Sequence, residues 1–373
     1  MEKKFIIEQK SLLALLSSMQ PICTKRTTLD TTTFILFQVG HRELVLKSTD
    51  LEISLQANCE LSESTIVGSE SFLVSGRRIF DVVKELDGAI TCDFTENQLS
   101  LQAGSVNLAL NIKDAQEFPP FPERIENLMH LDASALLKML DSVAFLIPQN
   151  NANPALNGLL LEISDNNLKM TVTDGHCLAQ VCSSKYHLNE NRTWLLPRRA
   201  VFELKKILES SQDTTIFLGV CGNQLVFSGE LFNFFTKLLV NPFPQYLSIL
   251  DKTLFMGATI DRTHFIKTLR RSACLLSGQF LATKFGFATH SLRVSMHNKE
   301  VGKLDEELPI TGFDSANLDI RFYAPYLLSG LQAFNEEKIT FFLKNSAKPI
   351  IFESESNDIH MTFLVMPVSP TNQ

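Results

Sequence analysis

The chain has 373 residues, of which 45% are hydrophobic and 20% are charged. At roughly 100–200 residues per domain, this length allows two or three domains with hydrophobic cores. The formal net charge of −7 excludes a generally basic protein that coats nucleic acid through bulk charge, although a local basic surface remains compatible with it.

The patterns of apolar residues and of cysteines further limit the class of protein. No stretch approaches the roughly 20 apolar residues of a membrane-spanning helix, and Glu8 and Lys10 interrupt the apolar run near the N-terminus, so no secretory signal is expected. Seven scattered cysteines without a C-x-x-C pair predict reduced thiols in a cytoplasmic protein. Neither a metal site nor a cofactor is expected.

Taken in chain order, the same unit appears three times. A short extended piece leads through a polar, capping residue into a helix, and about 60–67 residues later a second strand runs into a second helix. The six predicted helices are 9–20, 76–86, 133–146, 198–210, 261–275 and 323–334.

Short sequence matches share the same period. Asn97–Leu99 recurs as Asn223–Leu225, and Phe118-Pro119 recurs as Phe243-Pro244, in both cases about 125 residues later. One third of the chain has almost this length. A common period for several weak matches indicates an internal threefold repeat.

Between the helices the apolar pattern alternates with period two. Val106, Leu108, Leu110 and Ile112 fall on one face of a predicted strand. Each third is therefore predicted to be an α+β domain with two helices packed on roughly eight short, mostly antiparallel strands. The three predicted domains are 1–125, 126–250 and 251–373.

Positive charge is concentrated on the predicted helices. Together the six helices carry a formal charge of +7, so the remainder of a chain with a total of −7 carries −14. Lysine and arginine are good surface residues on helices, but so is glutamate, and an indifferent surface would not separate the signs. The asymmetry favours a shared helical surface that meets a polyanion through sequence-neutral phosphate contacts.

The segment Thr173–His176 is the sharpest candidate for chemistry. One hypothesis is a hydrolase or transferase in a cleft between repeats, with Asp174 and His176 as an acid–base pair and Cys177 or Cys182 as the nucleophile. A triad needs a third group that orients the base, and Asp-Gly is a common tight-turn pair. A turn or binding surface is therefore favoured over catalysis, and the chain is expected not to be an enzyme.

The equivalent position in the first third supports the turn interpretation. Thr49-Asp50 is kept there without the Gly-His that follows in the second third. This difference predicts a structural turn to which one repeat has added a site. At the other end of the chain, Phe363–Val368 is either the closing strand of the last third or the wall of a shallow peptide groove, and both interpretations stay open.

Several motifs in a fixed order resemble one family. The residues are Leu156–Gly158, Thr173–His176, Pro197–Arg199, Phe243–Tyr246 and Val365–Pro367. Together with the three repeats they resemble the bacterial DNA polymerase III β subunits, the sliding clamps, from about residue 3 to residue 368. The resemblance implies a homodimeric ring of six similar domains, whose helices line a channel around duplex DNA. It implies a tether for the replicative polymerase, and a separate ATP-driven loader that opens the ring.

The resemblance also implies a partner pocket for short Gln-Leu-x-Leu-Phe-like peptides, through which the polymerase, the clamp loader and repair polymerases would bind. Its residues would be Leu156, Thr173, Gly175, His176, Leu178, Pro244, Ile249, Leu364, Val365, Met366, Pro367 and Val368. Two positions depart from the family pattern, because Cys177 and Ser248 stand where arginine is usual. The departures predict an intact apolar floor with weaker polar anchoring at the rim.

Two further sets follow from the resemblance. The DNA-facing candidates are Arg26, Arg77, Arg78, Arg198 and Arg199. The family pairs an edge strand of the first domain with a helix of the third at its dimer interface, which points to Leu108 and Leu110 against Leu275 and Leu276. On sequence alone, these four leucines could equally be ordinary core residues.

Overall fold

The structure is a computed structural model that describes residues 3–24, 27–276, 282–356 and 358–368. All six predicted helices are present, with ends that shift by up to three residues. The helices are α1 Gln9–Cys23, α2 Gly76–Lys84, α3 Ala133–Ala144, α4 Arg198–Ser210, α5 Arg262–Ala273 and α6 Ala324–Leu331.

The strands follow the threefold repeat. The first third contains β1 Lys4–Glu8, β2 Phe34–Val39, β3 Glu43–Thr49, β4 Ile53–Glu60, β5 Glu63–Ser64, β6 Glu70–Ser75, β7 Ala89–Phe94, β8 Gln98–Ala103 and β9 Val106–Asp114. The second contains β10 Glu126–Asp132, β11 Gly158–Ile163, β12 Leu168–Thr173, β13 Cys177–Ser183, β14 Arg192–Pro197, β15 Thr215–Cys221, β16 Gln224–Ser228 and β17 Phe232–Lys237. The last contains β18 Met256–Asp261, β19 Thr283–Phe287, β20 Ser291–Asn298, β21 Gly302–Thr311, β22 Leu318–Phe322, β23 Lys338–Leu343, β24 Ile350–Ser356 and β25 Ile359–Val365.

Each third thus repeats one order of elements, a strand, a helix, four strands, a helix and three strands, with the two-residue β5 as an addition in the first third. The α+β class and the approximate strand count predicted from the alternation are confirmed. Capping carboxylates begin two of the helices, as expected. Asp132 accepts the Ala135 N–H at 2.8 Å, and Asp261 accepts the His264 N–H at 2.6 Å.

The chain divides into two compact units. Unit 1 comprises Met1–Ala135 and Phe202–Leu238, and its 13 strands form one antiparallel sheet in the order β10-β15-β16-β17-β4-β3-β2-β6-β9-β8-β7-β1-β5. Unit 2 comprises Leu136–Val201 and Leu239–Gln373, and its 12 strands follow the order β14-β11-β12-β13-β25-β24-β23-β18-β21-β20-β19-β22. The second third therefore contributes strands to both sheets.

The core of each unit lies between its helices and the inner face of its sheet. In unit 1, Leu16 of α1 and Ile79 of α2 are fully buried, and in unit 2 the same holds for Leu269 of α5 and Leu327 of α6. Alternating strands supply the other side of each core, as in β8, where every second residue is buried. Burial of these apolar faces, at roughly 25 cal/mol per Å², is the main force that holds the helices on the sheets.

Strand β9 departs from the sequence-based expectation. Its apolar residues do alternate, but Val106 is 42% exposed and Leu108 is 39% exposed, whereas Ile112 is buried. The difference arises because β6 pairs only with the Ile112–Asp114 end of the strand, whereas Val106–Asn111 pairs with β8 alone among the described strands. This half of β9 is therefore a sheet edge with an uncovered apolar row.

Within the described ranges, no helix combines the length and the apolar character that a bilayer crossing requires. The seven cysteines are free, and Cys23, Cys92 and Cys177 among them are buried. Burial raises the pKa of the Cys23 thiol to about 11, so this side chain is a neutral core group.

Candidate protein-docking site and open sheet edges

One rule of strand pairing occurs twice in the molecule. The fourth strand of a third pairs with the last strand of the following third. In unit 1, β4 pairs with β17 over Ile53–Ala57, and we call this the first junction. In unit 2, β13 pairs with β25 over Cys177–Ser183, and we call this the second junction.

The two junctions share their register and their turn. The Lys237 N–H donates to the Glu52 carbonyl at 2.8 Å, and the Met366 N–H donates to the His176 carbonyl at 2.9 Å. The turn before each fourth strand is closed by an aspartate. Asp174 Oδ1 accepts the N–H groups of His176 and Cys177 at 2.8 and 2.7 Å, and Asp50 makes the equivalent pair of bonds.

The second junction carries an apolar floor, which we define as Leu160, Leu178, Leu195, Tyr246 and Leu364. All five side chains are buried in one cluster, and Leu178 and Leu364 lie directly opposite each other on β13 and β25. Ala155 and Ile351 complete the buried cluster, while Phe243 and Met366 pack against it and stay partly exposed.

The sequence-predicted pocket residues distribute around this floor. Leu178 and Leu364 belong to it, and Leu156 is also buried, but its neighbour Ala155 makes the contact with the cluster. Val365 is buried on the opposite face of β25, because adjacent strand residues point to opposite sides of the sheet. The partly or fully exposed members are Thr173, Gly175, His176, Pro244, Ile249, Met366, Pro367 and Val368.

An aromatic pair at His176 lies beside the turn. The His176 ring stacks on the Tyr326 ring with centroids 5.5 Å apart and an interplanar angle of 17°. Burial raises the pKa of Tyr326, and the Asp174 carboxylate raises it further. Sequence reasoning missed Tyr326, because no local motif shows that α6 brings it to the turn after β12.

Tyr246 fixes the segment that crosses the floor. Its O–H donates to Glu162 Oε2 at 2.5 Å, and the Gln180 side-chain amide donates to the Tyr246 oxygen at 3.2 Å. Burial and the bond to Glu162 raise the Tyr246 pKa well above its usual range. Sequence reasoning quoted Tyr246 as part of a motif but assigned it no role, although its position two residues after Pro244 could have suggested one.

A second anchor holds the same segment further along. Lys252 Nζ lies 2.6 Å from Glu353 Oε2 and 4.5 Å from the centre of the Phe342 ring. Burial alone would raise the pKa of Glu353, but the hydrogen bonds from His360 and Lys252 outweigh it and lower that pKa. The segment Tyr246–Lys252 is thus fixed at both of its ends.

The geometry around Asp174 does not support the hydrolase or transferase hypothesis. Asp174 Oδ1 is occupied by backbone N–H groups, and within the described ranges no hydrogen bond joins its carboxylate to the His176 ring. Burial raises the pKa of Cys177 strongly and that of Cys182 to about 11, so neither thiol is an activated nucleophile. Among the described residues, no group of three His, Cys, Asp or Glu side chains could hold a metal ion.

The arginines predicted to face DNA differ in their exposure and in their contacts. Arg77 and Arg78 are exposed in the first turn of α2, with Arg77 3.8 Å from Asp81. Arg198 and Arg199 are partly buried at the start of α4, and Arg198 Nε donates to the Ile147 carbonyl at 3.1 Å. Arg26 lies outside the described residues.

Helix α5 carries further basic residues, which are not among the sequence-predicted DNA contacts. These residues also differ in the contacts that they make. Arg262 donates to the Glu336 carbonyl at 2.6 Å, and Arg271 forms an ion pair with Glu306 of β21. Lys267 and Arg270 are exposed on the same helix. The excess of positive charge on this helix was visible in the sequence, but which of its cations are already engaged was not.

Besides the strands that end each sheet order, one inner strand in each unit has a stretch that is paired on one side only among the described strands. Within the described residues, Val106–Asn111 of β9 has only β8 as a neighbour, and Gly302–Pro309 of β21 has only β20. β21 meets β18 only at its far end, through Ile310 and Thr311. Both edges expose backbone N–H and C=O groups that a further strand could pair with.

The four leucines predicted at a dimer interface lie at or near these edges. None is in the buried core, so the alternative of ordinary core residues is wrong for Leu108, Leu110, Leu275 and Leu276. Leu275 lies beside the start of β21, because its carbonyl accepts the Asn298 side-chain N–H at 2.7 Å and its methyl group approaches Gly302.

Three family models match successive parts of the chain. The DNA polymerase III beta subunit N-terminal domain matches residues 3–122, the central domain matches 130–245 and the C-terminal domain matches 250–369. A beta sliding clamp from Pseudomonas putida is 28% identical over 369 residues, which cover 98% of this chain and 99% of that protein. A beta sliding clamp from Staphylococcus epidermidis is 25% identical over 377 residues, with the same coverage.

Solved structures agree in fold. The DNA polymerase III subunit beta from Pseudomonas aeruginosa superposes with a TM-score of 0.89 at 25% identity, covering 98% of this chain and 99% of that one. A sliding clamp of the same organism bound to griselimycin gives a TM-score of 0.90 at 24% identity, covering 99% and 100%. With its three repeats, its paired junctions and these matches, the chain belongs to the DNA polymerase III beta subunit family, the family of the bacterial sliding clamps.

Proposed function

We propose that this protein is a non-catalytic sliding clamp of DNA replication in the cytoplasm. Two copies join into a ring around duplex DNA, and the apolar floor of the second junction holds a short peptide of each partner. The activity is a tether, because a polymerase bound to a ring that cannot leave sideways stays at high effective concentration at the primer end. The three domains of each copy are 1–125, 126–250 and 251–373.

The pair of open edges is the observation that carries this proposal. The junction rule joins the fourth strand of one third to the last strand of the next, and it leaves one fourth strand, β21, and one last strand, β9, unused. Two copies related by a twofold axis satisfy both edges at once, β9 of each with β21 of the other. Each copy contributes one β9 and one β21, so the twofold pairing uses both of these edges and closes the assembly as a dimer.

The register of this third junction follows from the other two. At both junctions, one residue just after the last strand forms a backbone hydrogen bond with the strand that leads into the second helix. The residue three places before it lies opposite the first residue of the fourth strand. These bonding residues are Leu239, which donates to Leu195, and Val368, which donates to Arg321. Lys113, opposite Leu73, holds the same place in the first third. Leu110 of one copy therefore faces Gly302 of the other.

In that register Leu108 faces Leu304, and the apolar row of β9 covers the side of β21 next to Leu275. Leu276 directly follows Leu275, and both are partly exposed in the single chain. Burial of these side chains, together with the paired backbone groups, supports a stable dimer.

The helical surfaces supply the DNA contacts in this proposal. The helices carry the positive charge of an otherwise acidic chain, and arginines at helix starts suit sequence-neutral contacts with phosphates. Arg26, Arg77, Arg78, Arg198 and Arg199 are the proposed contacts, with Lys267 and Arg270 of α5 added from the structure. Contacts of this kind exchange with counterions and permit movement along the duplex.

The docking site is proposed to serve the replicative polymerase, the clamp loader and repair polymerases through short linear motifs. Leu178, Leu364 and Met366 form its apolar part, and His176 with Tyr326 forms one rim. Two arginines usual in the family are replaced by Ser248, which is exposed, and by Cys177, which is buried opposite Val365, so neither position supplies a charged anchor at the rim. Apolar burial is therefore expected to supply more of the peptide affinity than in relatives that keep these arginines.

The decisive experiment compares DNA topologies. The protein is loaded onto a nicked circular plasmid with a clamp loader and ATP, and passed over a sizing column at moderate salt. Clamp should co-elute with the circle and be lost when a restriction enzyme linearises the plasmid before the column. Equal retention on circular and linear DNA would contradict a closed ring.

A further inference from the structure

A cavity adjoins the apolar floor and is bordered by the segment that Tyr246 fixes. It has a volume of about 510 Å³ and is lined by Leu160 and Glu162 of β11, Thr193 of β14 and the segment 243–248. Phe243 and Leu247 give it apolar walls, and Leu247 is 69% exposed at its mouth.

Glu162 is the only charged residue in the lining of this cavity, which contains no Lys, Arg or His. Its Oε2 accepts the Tyr246 O–H, and among the described residues its Oε1 has no hydrogen bond. The nearest cation by sheet register is Lys169, opposite Glu162 on β12, but no ion pair within 4.0 Å joins the two in the described structure. The cavity therefore presents a carboxylate whose charge is only partly compensated.

The cavity and the floor share residues. Leu160 and Tyr246 belong to the buried cluster of the floor and also line the cavity, and Phe243 packs against the cluster from the cavity side. A peptide bound on the floor would therefore lie next to the cavity. Ser248, at that mouth, adds a neutral group and no competing cation.

We propose that this cavity receives a lysine or arginine side chain that flanks the apolar motif of a partner peptide, with Glu162 as its counter-ion. The aliphatic stem lies against Leu160, Phe243 and Leu247, and the cationic head reaches the free carboxylate oxygen. The inference rests on the proposed peptide docking at the second junction and adds a charge preference to it. Partners with a basic flank are then selected over partners with an acidic one.

The test uses the full-length protein and fluorescein-labelled peptides of the Gln-Leu-x-Leu-Phe type, extended at either end by Arg, Ala or Glu. Affinities are measured by fluorescence anisotropy for the unmodified protein and for Glu162→Gln, which keeps an oxygen to accept the Tyr246 hydroxyl. Asp165→Asn, an exposed carboxylate on the turn after β11, serves as the matched control.

At one end of the motif, the Arg peptide should bind the unmodified protein about fivefold more tightly than the Ala peptide, and the Glu peptide more weakly than either. This ranking should disappear in Glu162→Gln, persist in Asp165→Asn and shrink in high salt. Equal binding of all the flanked peptides, or a ranking that survives in Glu162→Gln, would overturn the inference while leaving the docking site intact. Failure of every peptide to bind would instead refute the proposed docking function.

Discussion

The two junctions have the same backbone and different side chains. In both, a fourth strand pairs with a last strand after an aspartate-closed turn, yet only the second junction has an apolar floor. Leu178 and Leu364 face each other there, whereas Ser54 and Phe235 occupy the equivalent places in the first junction. Phe235 is covered by Phe121, whose ring centre lies 5.5 Å away in an edge-to-face contact.

The side chains at the rims of the two junctions also differ, and those of the second junction are again the less polar ones. Glu52 and Lys237 of the first junction correspond to His176 and Met366 of the second, so charged groups stand where an aromatic and a thioether side chain lie. Of the two junctions, the second therefore offers the better match to a peptide with apolar anchors. Backbone pairing therefore forms both junctions, and a few side chains distinguish the junction that is proposed to bind partners.

The largest expected effect comes from extending the junction rule to a second copy. Leu108→Asp places a carboxylate opposite Leu304 in the proposed third junction, where it would be buried without a partner. The dimer dissociation constant should rise at least about a hundredfold, as measured by analytical ultracentrifugation. Val67→Asp, at a residue that is 93% exposed in the same unit, should leave the dimer unchanged. A Leu108→Asp protein that remains dimeric would refute the proposed pairing of β9 with β21.

The elements of this fold could be predicted from the sequence because they depend on local periodicity. Helical spacing of apolar residues located all six helices, and the Thr-Asp turns at Asp50 and Asp174 were recognisable from the residues that favour turns. The threefold repeat supplied the domain number. What the pattern lacked was the neighbour of each strand, which depends on contacts between residues far apart in the sequence.

The candidate site shows the same limit. Leu178 and Leu364 could be named from the family resemblance, but the Tyr246 anchor depends on Glu162, 84 residues away in the chain. Val365 was grouped with its neighbours, although strand geometry turns its side chain to the opposite face from Leu364. Likewise, the alternation at Leu108 predicted a strand face correctly, but it could not show that only β8 pairs with this part of β9 among the described strands.

Exchanging the rims tests the difference between the junctions directly. The double variant His176→Glu, Met366→Lys gives the second junction the charges of the first, and it places both at the edge of the apolar floor. Affinity for a Gln-Leu-x-Leu-Phe peptide should fall at least about tenfold, as measured by fluorescence anisotropy. His176→Ala alone should weaken binding less, with the fold and retention on circular DNA kept.

The reciprocal change provides the control for this exchange. Lys237→Met alters the first junction at the position of Met366 and should leave peptide affinity unchanged, because the floor of the second junction is untouched. If the double variant bound the peptide as tightly as the unmodified protein, the second junction would not be the docking site.

A smaller effect is expected at the turns. Gly175 has φ +95°, and Leu51 at the equivalent position has φ +74°, a conformation that side chains other than glycine rarely adopt. A methyl group at Gly175 would contact nothing within 4 Å, so Gly175→Ala isolates the backbone cost, about 1 kcal/mol of the free energy of unfolding. Leu51→Gly should relieve the same strain and lose less stability than an ordinary change to glycine. Chemical denaturation of both variants measures the two effects, and a neutral Gly175→Ala would contradict the strain argument.

The smallest expected effect separates the segments that cover the two junctions. In the segment that covers the first junction, Phe121 is contacted by Lys47, whose Nζ lies 5.1 Å from the ring centre. In the segment that covers the second junction, Lys252 is held by the Glu353 carboxylate. Because the Glu353 pKa is lowered in the folded protein, its contribution to stability is present above the ordinary glutamate pKa and is lost as the pH falls through the lowered value. Glu353→Gln should therefore cost about 0.5 kcal/mol at pH near 6, and the cost should shrink as the pH falls through the lowered Glu353 pKa. Glu355→Gln, an exposed carboxylate on the same strand, should show no such pH-dependent difference in thermal unfolding. A Glu353→Gln penalty that persisted in acid would assign the anchor to packing on Phe342 rather than to the ion pair.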